Sequence, residues 1–228
     1  MDRAEFDDLW VVVPAYNEAQ VIGQTLTDLS ACFPHVCVVD DASNDGSGQI
    51  AETFFDQGVR LVTHPINMGQ GAALQTGFEY VLSDPLMARA VTFDADGQHL
   101  AADAVRLARR LGDGFDVVLG SRFLGQAPDM GRLKRVVLKT AVAYTNVSAR
   151  VRLTDTHNGL RAMNRRAVAA MKLTQPGMAH ATEIVERLRT ERLGYTEEGV
   201  EIHYSEYSRS KGQPLLNAVN ILVDLLMR

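Results

Sequence analysis

Cysteine is scarce in this chain: Cys32 and Cys37 are the only two among 228 residues. They are too few for a disulfide framework, and the spacings of a zinc-ligand set are missing. They read as reduced, partly buried thiols in a cytoplasmic protein. Positive charge is not in excess either. A formal net charge of -5 disfavours a generic nucleic-acid surface and leaves room only for a local basic patch. Long apolar runs are absent as well. The longest candidate, LLNAVNILVDLLM, is interrupted by Asn217, Asn220 and Asp224 and falls short of the ~20 residues a spanning helix needs. The N-terminal MDRAEFDDLW is acidic and lacks the basic-then-apolar order of a secretory signal. No internal repeat, no G-x-x-x-x-G-K-S/T and no G-x-S-x-G occurs, so a P-loop kinase and a serine hydrolase lose support.

What is present suits one soluble domain with a substantial core, at 46% hydrophobic and 22% charged residues. The first half alternates buried apolar runs with helical periodicity. The expected strands are LWVVVPAY, HVCVVDDAS, VRLVTH, RAVTFDADG and DVVLGSRF. The helices expected between them are NEAQVIGQTLTDLSACF, DGSGQIAETFFDQG, GQGAALQTGFEYVL and AADAVRLARRLGDG. This order predicts an α/β fold with a mainly parallel central sheet flanked by helices. Beyond it, GRLKRVVLKTAVAYTNVSARV reads as a helix with basic residues Arg132, Lys134, Arg135 and Lys139 near its start. DTHNGLRAMNRRAVAAM reads as a loop running into a helix, HATEIVERLRTERLGY as an amphipathic helix, GVEIHY as a strand and PLLNAVNILVDLLM as a closing helix. The chain is taken as a single domain over 1–228, with a soft division into 9–125 and 126–228.

Ligands of such sheets bind beyond the carboxyl ends of the strands, where three polar loops fall: Pro14–Glu18, Asp40–Asp45 and Asp94–Gln98. In VTFDADGQHL, Asp94 and Asp96 end a buried strand, and Gly97 permits the break into a turn. Hard carboxylate oxygens suit Mg²⁺ or Mn²⁺, and Gln98 could add an amide oxygen. DASNDGSGQIAE resembles a calcium loop, but it follows a β-branched run where a helix is required and carries Gly48 at the usual apolar position. MGQGAALQTG has Leu74 in place of the third dinucleotide glycine, so Gly69 and Gly71 read as allowing close backbone approach to a ligand at a helix N-terminus.

Taken together, VVVPAYNEAQVI, VVDDASNDGS, NMGQGAALQTGF, DADGQH and GSRF resemble, in order, the motifs of family 2 glycosyltransferases of the GT-A fold. DTHNGLRAMNR is similar to the D-x-x-x-G-F/L-R element of the dolichyl-phosphate-mannose-synthase-like, polyprenyl-phosphate branch. The resemblance spans roughly residues 9–212 and implies a metal-dependent, inverting glycosyltransferase. Its donor would be a nucleoside-diphosphate sugar, UDP- or GDP-linked, and its acceptor a polyprenyl phosphate. The resemblance places Pro14, Ala15, Tyr16 and Glu18 along the nucleotide pocket, Asp41 on the base and Gly71 close to it. It places Asp94, Ala95 and Asp96 at the diphosphate, with Asp94, Asp96 and Gln98 as metal ligands. Arg122, Asp155 and Arg161 would shape the donor-sugar and acceptor side, and Arg209 and Lys211 a loop closing over phosphate. Asp94, Asp96, Asp155, Glu183 and Arg209 are its candidate catalytic residues.

For Arg122 and Arg161 a salt bridge to a nearby acid is the competing reading. Relatives with hydroxyl acceptors carry a T-E-D-like element where this chain has Thr182-Glu183-Ile184. The apolar third position favours an acceptor that is already anionic, with Glu183 the remaining base candidate. The basic stretch at 132–139 and the stripe Leu215, Val219, Leu222, Leu226 suit either an anionic membrane surface on the cytoplasmic face or the domain's own core. A separate small membrane protein or a homodimer through the last helix is the partner expected. Transfer to a saccharide or small-molecule hydroxyl is the rival chemistry. A non-catalytic nucleotide-sugar-binding or membrane-partner protein is the rival class.

Overall fold

Strand β1, Leu9–Ala15, is buried along its whole length, and its alternation sets the two faces of the fold. Val11, Val13 and Ala15 enter one apolar cluster with Ile22, Leu26 and Leu29 and with Ala104, Leu107 and Ala108. Trp10 and Val12 enter the other, with Leu74, Phe78 and Val81 and with Ile184, Val185 and Leu188. A strand buried on both sides needs apolar residues at both phases, which is why it reads as an uninterrupted run.

A computed structural model describes residues 3–126 and 132–203. Arg209, Lys211 and the closing helix expected above lie outside the described residues, as do the side chains of Arg132 and Lys134. The described strands form one seven-stranded sheet with the order β3-β2-β1-β4-β6-β5-β7. Besides β1 these are β2 (His35–Asp40), β3 (Val59–Thr63), β4 (Arg89–Thr92), β5 (Val117–Gln126), β6 (Arg161–Asn164) and β7 (Tyr195–Glu201). Helices α1 (Ile22–Cys32), α2 (Ser47–Glu52), α3 (Gln70–Leu82) and α4 (Ala101–Leu111) connect the first five strands. Helices α5 (Arg132–Ala149), α6 (Arg165–Ala170) and α7 (His180–Thr190) follow. The architecture is a single α/β domain with a mainly parallel sheet between helices.

Several elements depart from expectation: β4 stops at Thr92, short of the expected Gly97, α2 stops at Glu52 and β5 runs on to Gln126. Helix α1 starts at Ile22 rather than near Asn17, because Asn17 sits in the left-handed region (φ 55) and loop 16–19 is tied sideways to loop 43–47. Strand β7 begins at Tyr195, four residues before the expected Gly199, where parallel pairing with β5 extends it. Strand β6 is new. The sequence RAMN has no β-branched residue, and it becomes a strand because it fills the gap between β4 and β5 and pairs antiparallel with both. That reversal matters for the site. An antiparallel strand brings its first residue, Arg161, to the edge where the parallel strands end: Arg161 lies opposite Thr92 of β4 and Leu119 of β5.

Candidate active site

The polar edge is assembled from loops that bond to one another. Loops after β1 and β2 are laced by Asn17 N–H to Ser43 Oγ (2.9 Å), Glu18 N–H to Ser47 Oγ (2.7 Å) and Ala19 N–H to Asp45 Oδ2 (3.0 Å). Asp41, buried at the end of β2, accepts from Met68 N–H (2.8 Å), Gly69 N–H (2.7 Å) and the His64 ring at Nδ1 (2.7 Å). The acids of the calcium-like stretch thus diverge. Asp45 accepts from Ala19 and Ser47 and Asp41 holds the segment before α3, while Asp40, the residue before the stretch, accepts from Ser43 N–H. Asp41, expected to read a base, is left with one lone pair on Oδ2 after these contacts.

Strand β4 stops at Thr92, and Gly97 takes φ +72, so Asp94 and Asp96 lie in a turn beyond the strand end. Asp94 Oδ1 accepts from Gln70 Nε2 at 3.0 Å, and Asp94 Oδ2 lies 3.3 Å from His99 Nε2. Burial opposes ionisation of Asp94. The His99 hydrogen bond and the charges of His99, Arg161 and His180 outweigh it and hold the carboxyl below its ordinary value. Asp96 behaves in the opposite way: burial, then the charge of Asp94, push it up to about 6. Gln98 turns its amide nitrogen onto Asp96 Oδ2 (2.5 Å) and its backbone N–H onto Oδ1 (3.1 Å). In this arrangement Gln98 serves Asp96, and its amide oxygen and second amide proton remain for other partners. Among the described residues no three His, Cys, Asp or Glu side chains are grouped to hold a metal. Two close carboxylates, one of them resisting ionisation, still fit an ion such as Mg²⁺ or Mn²⁺. Such ions take one or two carboxylates and complete their shell with water and phosphate oxygens.

The facing wall comes from the second half. Arg161 is 2% exposed, and its Nη1 finds no hydrogen-bond partner. Burial pulls its pKa down, while the charges of Asp94 and Asp155 act the other way. Arg122, by contrast, forms the expected salt bridge: its Nε donates to Asp155 Oδ2 at 2.6 Å. Asp155 is 2% exposed. Gly159 closes on Asp94 so tightly that a β-carbon there would lie 1.9 Å from Asp94 Oδ2.

Two expected residues have different neighbours from those the sequence suggested. Gly71 does permit a close approach, but by the chain's own segment 175–177. Its N–H donates to Pro176 O at 2.7 Å, and a β-carbon would lie 2.0 Å from Gln175 O. Glu183 accepts from Thr174 N–H, Thr174 Oγ1 and Gln175 N–H at 2.9–3.0 Å. Burial raises its pKa, and these hydrogen bonds outweigh that and hold the carboxyl below its ordinary range, which is unfavourable for a base. Of the nucleotide-side residues, Pro14 and Ala15 are buried at the end of β1, Tyr16 is exposed, and Glu18 follows in the laced loop. Ala95 is buried between the two acids.

Gln70, His180 and Glu197 were not singled out from the sequence. Gln70 stands between the two glycines of MGQG, and His180 opens α7 three positions before Glu183. Glu197 had no sequence signal. It accepts from Thr154 N–H and Oγ1 at 2.9 Å and from Asp155 N–H at 3.1 Å, across more than forty residues.

A mainly parallel sheet with one reversed strand, carrying paired acids at its polar edge, is the GT-A architecture. The chain superposes on glucosyl-3-phosphoglycerate synthase from Mycobacterium tuberculosis, solved with Mn²⁺, UDP-glucose and phosphoglyceric acid. The TM-score is 0.67 at 19% identity, covering 95% of this chain and 79% of that one. The chain belongs to glycosyl transferase family 2, whose model matches residues 10–171, and it is a glycosyltransferase. It is 32% identical to an uncharacterised protein of Methanocaldococcus jannaschii over 97% of this chain and 92% of that protein. It is 26% identical to the UDP-N-acetylglucosamine–dolichyl-phosphate N-acetylglucosaminyltransferase of Methanococcus voltae, over 96% of this chain and 95% of that one.

Proposed function

We propose that this enzyme transfers a sugar, with inversion, from a nucleoside-diphosphate sugar to a polyprenyl phosphate. The observation that carries the reading is the Asp94–Asp96 pair beyond the strand end, with the buried Arg161, whose Nη1 has no partner, acting on Asp94. Asp94 and Asp96 would hold Mg²⁺ or Mn²⁺, which when bound neutralises charge on the diphosphate leaving group. Pro14, Ala15, Tyr16, Glu18 and Asp41 would line the nucleotide. Arg161 would meet the sugar and its reacting end from the opposite wall, with Arg122 and Asp155 bracing it. Arg209 and Lys211 would close over phosphate. Residues 9–125 are then the donor half and 126–228 the acceptor half.

Support for a phosphate acceptor comes from three directions. The Methanococcus voltae relative is named for transfer to dolichyl phosphate. The Glu183 carboxylate is engaged by its own loop, and an anionic acceptor needs no base. Helix α5 packs through Ala141, Val142, Thr145 and Ala149 and leaves Val136 and Val147 exposed on a helix with exposed Arg135 and Lys139. Such a surface suits peripheral attachment to anionic lipid on the cytoplasmic face. No helix among the described residues is long and apolar enough to cross a membrane. A separate small membrane protein, or a homodimer through the last helix, is the partner proposed for deeper attachment.

The test is a panel of UDP- and GDP-sugars with Mg²⁺ or Mn²⁺ and a short polyprenyl phosphate. Sugar transfer to the lipid, abolished by EDTA, is expected. Donor hydrolysis without lipid transfer under every condition would sink the acceptor assignment. Transfer to a saccharide hydroxyl would replace it, and transfer undiminished by EDTA would remove the metal role.

A further inference from the structure

The mechanism above leaves one buried imidazole unused. His180 is 3% exposed at the first position of α7. Its Nδ1 lies 2.8 Å from Gly177 O. A carbonyl oxygen only accepts, so Nδ1 carries a proton. Burial, reinforced by the charge of Arg161, pushes the imidazole down to about 4, so at neutral pH the ring holds that one proton only. Nε2, across the ring, is then a fixed lone-pair acceptor, and it makes no hydrogen bond among the described residues.

The group it complements is Arg161. The guanidinium is a donor without acceptor capacity, and its buried Nη1 has no partner. Both side chains flank Asp94: a β-carbon on Gly71, beside the Gln70 whose amide reaches Asp94, would lie 2.8 Å from His180 Cβ, and Arg161 follows Gly159, which closes on Asp94. The charge of Arg161 acts on His180, and that of Asp94 on both. A phosphate or carboxylate oxygen would satisfy Arg161 but set lone pair against lone pair at His180. A hydroxyl does what both require: its oxygen accepts from Arg161 and its proton goes to Nε2. A sugar ring carries such groups; a diphosphate does not.

We infer that His180 is a specificity-determining residue for the donor sugar, accepting one ring hydroxyl that Arg161 holds from the other side. The inference rests on the glycosyl-transfer reading. Removing a buried, hydrogen-bonded hydroxyl leaves both protein groups unsatisfied, so such a site discriminates steeply against the deoxy analogue.

The experiment measures kcat/KM for UDP-glucose, UDP-N-acetylglucosamine and GDP-mannose, each beside its single-position deoxy analogues. For the donor used, wild type is expected to lose about 30-fold or more at one ring position. His180→Phe should bring the parent-to-deoxy ratio at that position to within about 3-fold. His180→Gln, which keeps an acceptor oxygen, should retain most of it. An equal loss on all donors in His180→Phe, with the ratio preserved, would show a structural role and overturn the inference. So would a wild type that tolerates every deoxy donor within about 3-fold, a result that needs no variant to fold. If wild type turns over none of the parent donors, the glycosyl-transfer reading itself fails and this inference with it. Turnover without deoxy discrimination defeats the His180 role alone.

Discussion

The two sides of the site are built by contacts of different range. On the acidic side Asp96 is oriented by Gln98 two residues on, Asp40 by Ser43 three on and Asp45 in part by Ser47 two on, while Asp94 and Asp41 reach to Gln70 and to Met68 and Gly69 but stay within the first half of the chain. On the cationic side the orienting contacts span the chain. Arg122 reaches Asp155 across 33 residues, and Glu197 holds Thr154 and Asp155 across 43 and 42. The difference shows where each side is vulnerable. The acidic turn fails when its own residues change. The cationic wall fails when a remote brace is cut.

Asp96→Ala attacks the local side directly and has the largest expected effect. Donor turnover should fall by about 10³-fold or more, because charge stabilisation of the leaving group is lost. The metal-free fold should be no less stable by thermal melting, since a carboxylate that resists ionisation has been removed. A variant that retains turnover would break the assignment. Gly159→Ala tests the point where the two sides meet. Its β-carbon collides with Asp94 Oδ2, so a stability loss of about 1–3 kcal/mol and a fall in turnover are expected together.

Glu197→Ala cuts the long-range brace without touching either acid. Leaving the N–H groups of Thr154 and Asp155 without their acceptor should cost about 1–3 kcal/mol in urea unfolding and slow turnover. Glu183→Ala removes the matching clamp on Thr174 and Gln175. It should cost a similar stability but leave the pH profile of turnover unshifted, since the carboxylate is engaged rather than poised as a base. Loss of the acid-side limb of that profile, where a general base becomes protonated, would reverse this reading.

The mildest perturbation is pH. The folded-state value of Asp96 is raised above its ordinary one, so the folded state keeps this proton where the unfolded chain has lost it. Its contribution to stability is full below about 4 and disappears as pH rises through about 6, amounting to about 3 kcal/mol at most. Unfolding in EDTA between pH 4 and 7 should show the decline, and Asp96→Asn should flatten it.

What was readable follows the same division. Strands buried on both faces announced themselves as apolar runs, and D-x-D-G marked the glycine turn, though the strand stops at Thr92 and both acids lie beyond it; both are short-range patterns. The motifs identified the family for the same reason. Strand β6 was not readable: RAMN has no strand propensity of its own and is extended only between β4 and β5. Nor could the sequence tell what approaches Gly71. A glycine permits proximity without naming the neighbour, and here the neighbour is Pro176.

By itself, then, the sequence determined the α/β sheet, the order of the polar loops, the acid pair and the family. Hydrophobic period and local turn chemistry act over a few residues and are written along the chain. Only the tertiary structure decided that β6 runs backwards and delivers Arg161 to the acids, that Arg122 pairs with Asp155, and that His180 lies within their field. Those outcomes depend on which distant strand fills a gap in the sheet, and no local pattern encodes that.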